Sequence, residues 1–477
     1  MNKNENKSDL MEKIVSLCKR RGFIFQGSEI YGGLAGTFDY GPYGLTLKKN
    51  IEAAWRKRFI QDREDMYEVN ADILMNAKAW EASGHVAGFS DPMIEDVKTN
   101  KRYRADHLLE SWGHSAIGLN VEALNNKIQT LQKEDPKKYN SVDGNAFGEV
   151  RQFNMMFKTQ AGAMEDSSST VYLRPETAGG MFVNFKNIMD SIHPKLPFGM
   201  AQIGKAFRNE ITPRDFIFRL REMEQMEIEY FIDPKTWEDK FSELQKEFKS
   251  FMLDIGLDEN KIHEVEIGDG DRAHYSKRTI DFEYDFPMGQ KELAGLAYRG
   301  DFDLKSHQEY SKVNLEYLDE ESKTKFLAHV IEPSIGLERS VLAVMCNAYT
   351  EEDVSKDMDG TDIRTVLKLK NNIAPLKVCI SPLLKNKEVL VSKAREVYTS
   401  LKKDFVKYNL GSVMYDDGGN IGKRYRKQDE IGTPYCVVID FETVEADNCV
   451  SIRDRDTMLQ VRVKLDELNN YLINKFN

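Results

Sequence analysis

After Pro42 the apolar residues Leu47, Ile51, Ala54, Trp55 and Phe59 recur at the spacing of one helical face. Proline favours a first helical turn because its missing N–H has no intrahelical acceptor there. Ahead of this helix stand a short helix-like stretch, the Gly-rich GSEIYGGLAG at 27–36, and FDYGPYG at 38–44. In residues 105–150, Leu108, Ile117, Leu124, Ile128 and Leu131 are interleaved with Lys and Glu, which predicts polar helices. DPKKYNSVDGN at 135–145 is a linker by composition, and the whole block reads as an insertion. From Arg151 to Tyr230 the pattern changes to short strands: FNMMF, TVYLRPE, GMAQIGKAFRNEI and FIFRLREMEQMEIEYF. In the last, Leu220, Met223, Met226, Ile228 and Tyr230 are only partly period two, but the turn ITPRDF before them fits a hairpin. A helix over 234–256, strands over 279–305 and a buried helix over 337–350 complete this body.

The best domain boundary falls at 371–375. Beyond it the apolar runs KVCIS, GSVMYDD, PYCVVID and LQVRV alternate with charged helix-like stretches at 388–408, 420–430 and 464–475. That alternation predicts an α/β domain. The expected division is 1–104, 105–150 (the insertion), 151–370 and 375–477.

Composition narrows the class. A chain of 477 residues suggests two to four domains at roughly 100–200 residues each. Hydrophobic residues at 41% and charged residues at 30% supply globular cores. No run of 18 apolar residues exists, which excludes a helical membrane span. Glu5, Asp9 and Glu12 argue against an organellar presequence, so a cytoplasmic location is expected. The five cysteines, Cys18, Cys346, Cys379, Cys436 and Cys449, form no CxxC pair. A disulfide framework or Cys-type zinc site is therefore not expected. Net charge is −11, yet the segment from Pro375 onward holds 17 Lys and Arg against 15 Asp and Glu. A near-neutral tail on an acidic body fits a module with its own partner, or ordinary variation between domains.

Three runs carry the chemistry. FRNEITPRDFIFRLREMEQMEIEYF at 207–231 holds Arg208, Glu210, Arg214, Arg219 and Arg221 with Glu222, Glu224, Glu227 and Glu229. KELAGLAYRGDFDL at 291–304 adds Glu292 and Arg299, and HVIEPSIGLERSVLAV at 329–344 adds Glu332, Ser334 and Arg339. Arginine forks hold phosphate oxygens bidentately, and magnesium takes carboxylates together with phosphate oxygens. Chemistry at an α-phosphate depends mainly on positioning and charge neutralisation. Taken pair by pair, the same residues also fit exposed salt-bridge ladders worth about 0–1 kcal/mol each. GGNIGKRY at 418–425 is one residue short of a phosphate loop and has Arg424 where a hydroxyl would hold magnesium, so that reading fails. The histidines at 85, 107, 114, 193, 263, 274, 307 and 329 show no metal spacing, and most are assigned structural roles.

These runs resemble motifs 2 and 3 of class II aminoacyl-tRNA synthetases, and specifically the homodimeric glycyl-tRNA synthetase family. RRGFIFQGSEIYGG (20–33) and DYGPYGLTLKKNIEAAW (39–55) resemble that family's N-terminal signature and motif 1. SGHVAGFSDP (83–92), RADHL (104–108), YLRPETAGG (172–180), GKRYRKQDEIGTPYCVVIDF (422–441) and VSIRDRDTMLQVRV (450–463) extend the likeness over nearly the whole chain. The resemblance implies an α+β fold: an antiparallel sheet flanked by helices, followed by an α/β anticodon-binding domain. It implies ATP and Mg2+ as cofactors, glycine and tRNA(Gly) as partners, a homodimer and no membrane.

Carried onto this chain, the resemblance makes Arg208, Arg339 and Glu292 catalytic. Arg208 would grip the α-phosphate and the glycine carboxylate, Arg339 the γ-phosphate, and Glu292 with Glu332 the metal. ATP would further meet Asn209, Glu210, Phe218, Arg219, Leu220, Arg221, Glu222 and Met223, then Leu293, Gly336, Leu337 and Glu338. Glycine would be enclosed by Arg104, Glu176, Glu227, Glu332 and Ser334, with Met223, Glu224, Gln225, Met226, Pro333, Ile335 and Gly336 around it. The anticodon arm would meet Lys423, Arg424, Tyr425 and Arg426, a basic cluster with a stacking face; on its own that cluster also fits a solvated helix face. The helix from Leu47 to Phe59 lies where the family's subunits meet. Departures are Met223 where Phe is common, Glu338 within GLER, Thr46 in motif 1, and KTNKRY, which lacks paired cysteines. Two readings compete: a catalytically silent relative, opposed by retention of Arg208, Glu210, Glu292 and Arg339, and an enzyme for another amino acid, opposed by the acidic set Glu176, Glu227 and Glu332.

Overall fold

Seven strands make the central sheet: β1 (Met66–Glu68), β2 (Phe198–Phe207), β3 (Glu222–Ile232), β4 (Ile262–Glu266), β5 (Arg278–Phe286), β6 (Gly289–Gly300) and β7 (His329–Gly336). Their spatial order is β4-β5-β6-β7-β3-β2-β1. All neighbours are antiparallel except β1, which runs parallel to β2. This computed structural model describes residues 5–476 apart from 117, 163–168, 271, 274 and 356–361; Ile117 and His274, noted in the sequence, lie outside the described residues.

Helices α1 (Glu5–Arg21), α2 (Pro42–Arg56), α3 (Ala178–Ile192), α4 (Trp237–Asp254), α5 (Phe302–Ser311) and α6 (Leu337–Ala348) surround the sheet. Helix α2 begins on Pro42, and its stripe Leu47, Ile51 and Trp55, continued by Phe59, is fully buried in the chain's own core. The expectation that this face meets a second subunit is therefore corrected: it packs on the sheet and α6, and burying each such side chain is worth about 1.5–3 kcal/mol. The sheet's opposite face is divided. One end is closed by α3 through Phe182 and Phe185 on Phe198, Met200 and Phe231. The other end is the floor of a cleft.

Strand β3 alternates strictly. Met226, Ile228 and Tyr230 enter the core under the helices, while Met223, Gln225, Glu227 and Glu229 face the cleft side. The alternation looked partial in the sequence because two apolar residues, Met223 and Phe231, fall on the otherwise polar face. Helix α3 was missed, since the whole stretch from Arg151 to Tyr230 was read as short strands; Gly179 and Gly180 lie in its first turn. They are glycines because Trp80 and the Ala71 methyl approach so closely that a Cβ would lie 2.8 and 2.5 Å from them. The strand reading over 279–305 also ran into the first turn of helix α5.

The insertion has its own core of Ile94, Leu109, Leu124, Ile128, Tyr139 and Phe147. It extends past the expected limits at both ends, because strand Ser90–Glu95 pairs with Arg102–Arg104 and with Arg151–Asn154. The C-terminal sheet runs β9 (Val413–Tyr415), β8 (Val378–Pro382), β10 (Tyr435–Ile439), β11 (Cys449–Asp454), β12 (Gln460–Lys464). It is packed against α7 (Glu388–Lys407) and bordered by α8 (Ile421–Ile431). Ion pairs tie α8 to the rest of the chain: at a buried one Arg364 Nε donates to Asp429 at 2.8 Å, and nearer the surface Arg20 and Arg21 both reach Glu430.

Candidate active site

Register places Gln202, Glu227, Ser334 and Gly295 side by side across β2, β3, β7 and β6. Glu227, Ser334 and Gly295 floor a cleft of about 340 Å³, a volume suited to a small-molecule site. The cleft has an acidic end and a basic end.

At the acidic end, Glu176 precedes α3, and His85 Nε2 stands 3.3 Å from its Oε2. Burial works to raise the Glu176 carboxyl, but His85, Arg299 and Arg208 outweigh it and hold it down at about 2. Glu227 accepts from the Thr177 N–H at 3.1 Å and from the Thr177 hydroxyl. Burial, then the charge on Glu176, pushes Glu227 up against these donors and Ser334. Glu332 accepts from Arg299, whose guanidinium also holds Asp303 through two bonds of 2.7 Å. Burial lifts Glu332 to about 8 despite Arg299. Arg299 is 1% exposed, with the Tyr275 ring 3.7 Å away on one face and Phe182 at 5.3 Å.

At the basic end, Arg339 lies over the Phe218 ring at 4.4 Å and donates to the Glu292 backbone oxygen at 2.9 Å and to its carboxylate at 3.1 Å. That arginine holds the Glu292 carboxyl below its ordinary range. Arg208 Nε donates to the Pro175 carbonyl at 3.0 Å, which aims the remaining guanidinium nitrogens into the cleft. Asp281 shares the cleft with Glu292 from β5; burial first, then Glu292 and Glu283, raises its carboxyl to about 7. Leu220, Met223, Leu293 and Gly336 complete this end.

The structure thus brings Glu176, Arg208, Phe218, Leu220, Met223, Gln225, Glu227, Glu292, Leu293, Glu332, Ser334, Gly336, Glu338 and Arg339 around one space. Glu338 meets it only at the edge, because its carboxylate is held by Lys48 at 2.7 Å and by the Glu224 N–H at 2.8 Å. Several of the expected contacts lie outside this space. Glu224 turns behind the sheet to Lys48, at 2.9 Å, and Glu222 turns outward to Lys205. Met226, Ile335 and Leu337 belong to the core, and Pro333 is buried in β7 without lining the cleft. Arg221 spends its guanidinium on the carbonyls of Glu210 and Ala35, and the Asn209 N–H goes to Met155. Arg104, Glu210 and Arg219 line a separate hollow beside His107 and Arg214; Arg104 is committed to Asp91 and Asp106.

The expected metal pair is corrected too. Glu332 pairs in register with Ala297, five residues along β6 from Glu292, or about 17 Å at the rise of an antiparallel strand. One ion cannot span them, and Glu332 is already engaged by Arg299. In register Glu292 pairs with Glu283, and Asp281, two residues along β5, is the carboxylate that shares the cleft with it. Among the described residues no group of three or more His, Cys, Asp or Glu is placed to hold a metal.

In the C-terminal unit Lys423 is exposed at the start of α8. Arg424 is corrected: it is 2% exposed and donates to the carbonyls of Pro382, Leu383 and Asp416, so it organises the fold and cannot meet RNA. Tyr425 packs under Arg453 at 4.8 Å, and Arg426 pairs with Asp362 at 2.7 Å.

Sequence reasoning missed His85, Tyr275, Asp281 and Asp303. Only His85 carried a signal, its place inside SGHVAGFSDP; the others acquire meaning through strand pairing.

Residues 157–348 match the model of the tRNA synthetase class II core domain (G, H, P, S and T), and residues 377–475 match the anticodon binding domain. A glycine–tRNA ligase of Mycoplasmopsis synoviae is 46% identical over 98% of this chain and 100% of its own length. Glycine–tRNA ligases of Acetivibrio thermocellus and Clostridium tetani are 46% and 48% identical, each over 98% of both chains. With both domains matched and the identity sustained from end to end, this chain belongs to the glycine–tRNA ligase family, with a class II synthetase core.

Proposed function

We infer that this chain activates glycine with ATP and transfers the glycyl group to tRNA(Gly). The observation that carries the reading is the polarity of the cleft. Glu176 and Glu227 offer an ammonium its counter-charges and Ser334 a hydroxyl acceptor, while Arg208 and Arg339 point arginine forks at the other end. A glycine carboxylate oriented toward Arg208 attacks the α-phosphorus of ATP, the bond to pyrophosphate breaks, and glycyl-adenylate forms. A terminal ribose hydroxyl of tRNA then attacks the glycyl carbonyl and releases AMP. Arg208 and Arg339 neutralise phosphate charge in place, where fixed donors need no reorganisation. Magnesium fits the carboxylates of Glu292 and Asp281, and when bound it supplies further neutralisation of the triphosphate.

In this reading the domain division is a catalytic body interrupted by the insertion, with a tRNA-reading unit from about residue 375. Lys423 is the RNA contact best supported by exposure. The protein acts in the cytoplasm as a homodimer. The exposed apolar side chains Ile30, Tyr31 and Leu34, at 88%, 87% and 54% exposure, support the second copy better than α2 does. ATP–pyrophosphate exchange with glycine tests the activity.

A further inference from the structure

One step deeper than Glu227, on the same face of β3, Glu229 is fully buried, and neither of its carboxyl oxygens has a hydrogen-bond partner among the described residues. Pairs Glu227–Ser334 and Tyr230–Ile331 bracket it, so it lies level with Glu332 on β7. The other charged groups facing it are Arg299 from β6, Glu227 from its own strand and Asp303 from α5. His307 of α5, Glu176, His85 and Tyr275 form the next ring around Arg299. Arg299 makes no hydrogen bond to Glu229: its Nε and Nη2 serve Asp303 and its Nη1 serves Glu332. Asp303 and Arg299 cancel. Glu176 has His85. What remains is Glu227, Glu229 and Glu332 packed together with less positive charge than they need, and unpaired buried carboxylates are strongly disfavoured.

We propose that Glu229 is a positioning residue of the glycine site: with the site empty it holds a proton in common with Glu332, and entry of the glycine ammonium displaces that proton to solvent. The inference rests on the glycine-activating function proposed above. The O–H bond of the Glu229–Glu332 pair breaks, the proton passes to buffer, and the ammonium becomes the compensating cation for Glu332 and Glu227; no electrons are exchanged. Burial raises both carboxyls, Glu229 further under the charge of Glu332, which accords with a resident proton. A cation site that stays neutral when vacant avoids burying bare charge.

The test is calorimetric titration of the full-length protein near pH 7 with a glycyl-adenylate analogue carrying a sulfamoyl group in place of the phosphate, in buffers of different ionisation heat. The wild type should release a measurable fraction of a proton per ligand bound. Glu229→Gln, isosteric and permanently neutral, should release less than half of that. In pyrophosphate exchange the wild-type glycine KM should fall as pH rises from 6 to 8, by at most about tenfold per unit for one linked proton. In Glu229→Gln that slope should flatten while the ATP KM stays unchanged, a split that a purely structural defect would not produce. Binding without proton release by the wild type overturns the proposal whether or not the variant folds, and so does undiminished release by Glu229→Gln. An analogue that does not bind the wild type at all overturns the glycine-activating function itself.

Discussion

His85 Nε2 and Glu176 Oε2 stand 3.3 Å apart, and Glu176 is buried and held near 2 largely through that neighbour. The pair joins two distant segments, one before the insertion and one before α3. Because Glu176 stays ionised across the physiological range, it offers a permanent counter-charge to an ammonium. His85→Ala should therefore weaken glycine more than ATP. A charge-assisted bond is worth about 1.5–3 kcal/mol, so the glycine KM should rise roughly 10- to 150-fold. Steady-state pyrophosphate exchange with each substrate varied in turn checks this, and equal changes in both KM values would contradict it.

Arg208→Ala and Arg339→Ala should each abolish adenylate formation while leaving the thermal unfolding transition within a few degrees of wild type. Lysine at either position should not restore activity, because a point charge cannot replace the fork. Single-turnover formation of glycyl-adenylate is the readout. Near-normal rates in Arg208→Lys would remove this arginine from the reaction.

Stability should carry the imprint of Glu332. Its carboxyl is raised to about 8 in the folded chain, against about 4.3 in an unfolded one. The folded state therefore binds the proton more tightly. The stabilisation from that proton is complete below about pH 4.3 and is lost as pH rises toward 8. Ligand-free wild type should lose Tm between pH 5 and 8 relative to Glu332→Gln, whose profile lacks this component. Parallel Tm profiles would show that Glu332 is ionised throughout.

Arg424 and Lys423, adjacent in sequence, should separate fold from recognition. Arg424→Ala takes the guanidinium from the Pro382 and Leu383 carbonyls, while that of Asp416 keeps the Ser381 hydroxyl, and should lower Tm at a cost of about 1–3 kcal/mol for each group left unsatisfied. Lys423→Glu should leave Tm and glycyl-adenylate formation unchanged, weaken tRNA binding, and reduce the slope of log affinity against log salt by about 1. Unaltered tRNA affinity and salt slope in Lys423→Glu would remove it from the RNA surface.

Much of the architecture is legible where one period and one environment coincide. The stripe Leu47, Ile51, Trp55 and Phe59 reads as a helix because it faces only the core. Strand β3 reads less cleanly because apolar Met223 and Phe231 fall on its otherwise polar face, and no hydropathy rule anticipates that Gln225, Glu227 and Glu229 on that face are buried. The cleft's arginines were visible in their motifs, whereas their division of labour was not. Arg208 and Arg339 reach the cleft, while Arg221 and Arg424, of the same residue type and equally basic in context, bind backbone carbonyls. Asp281 and Glu292 become neighbours only through β5–β6 pairing, and Glu332 leaves the metal set only when strand register is known.

The central claim is that this cleft activates glycine and rejects larger amino acids by exclusion. Glycine has no side chain to recognise, so selectivity comes from holding ammonium and carboxylate above a floor of Gly295 and Ser334 with no space at the α-carbon. Forcing a methyl group into a rigid site is a clash, typically costing about 1–3 kcal/mol for each overpacked group. The most direct measurement is ATP–pyrophosphate exchange by the purified full-length chain, with glycine, alanine and serine compared in kcat/KM. Glycine should support magnesium-dependent exchange, with alanine lower by roughly 10- to 200-fold and serine lower still. Exchange with alanine or serine equal to that with glycine, or none with glycine, would contradict the account.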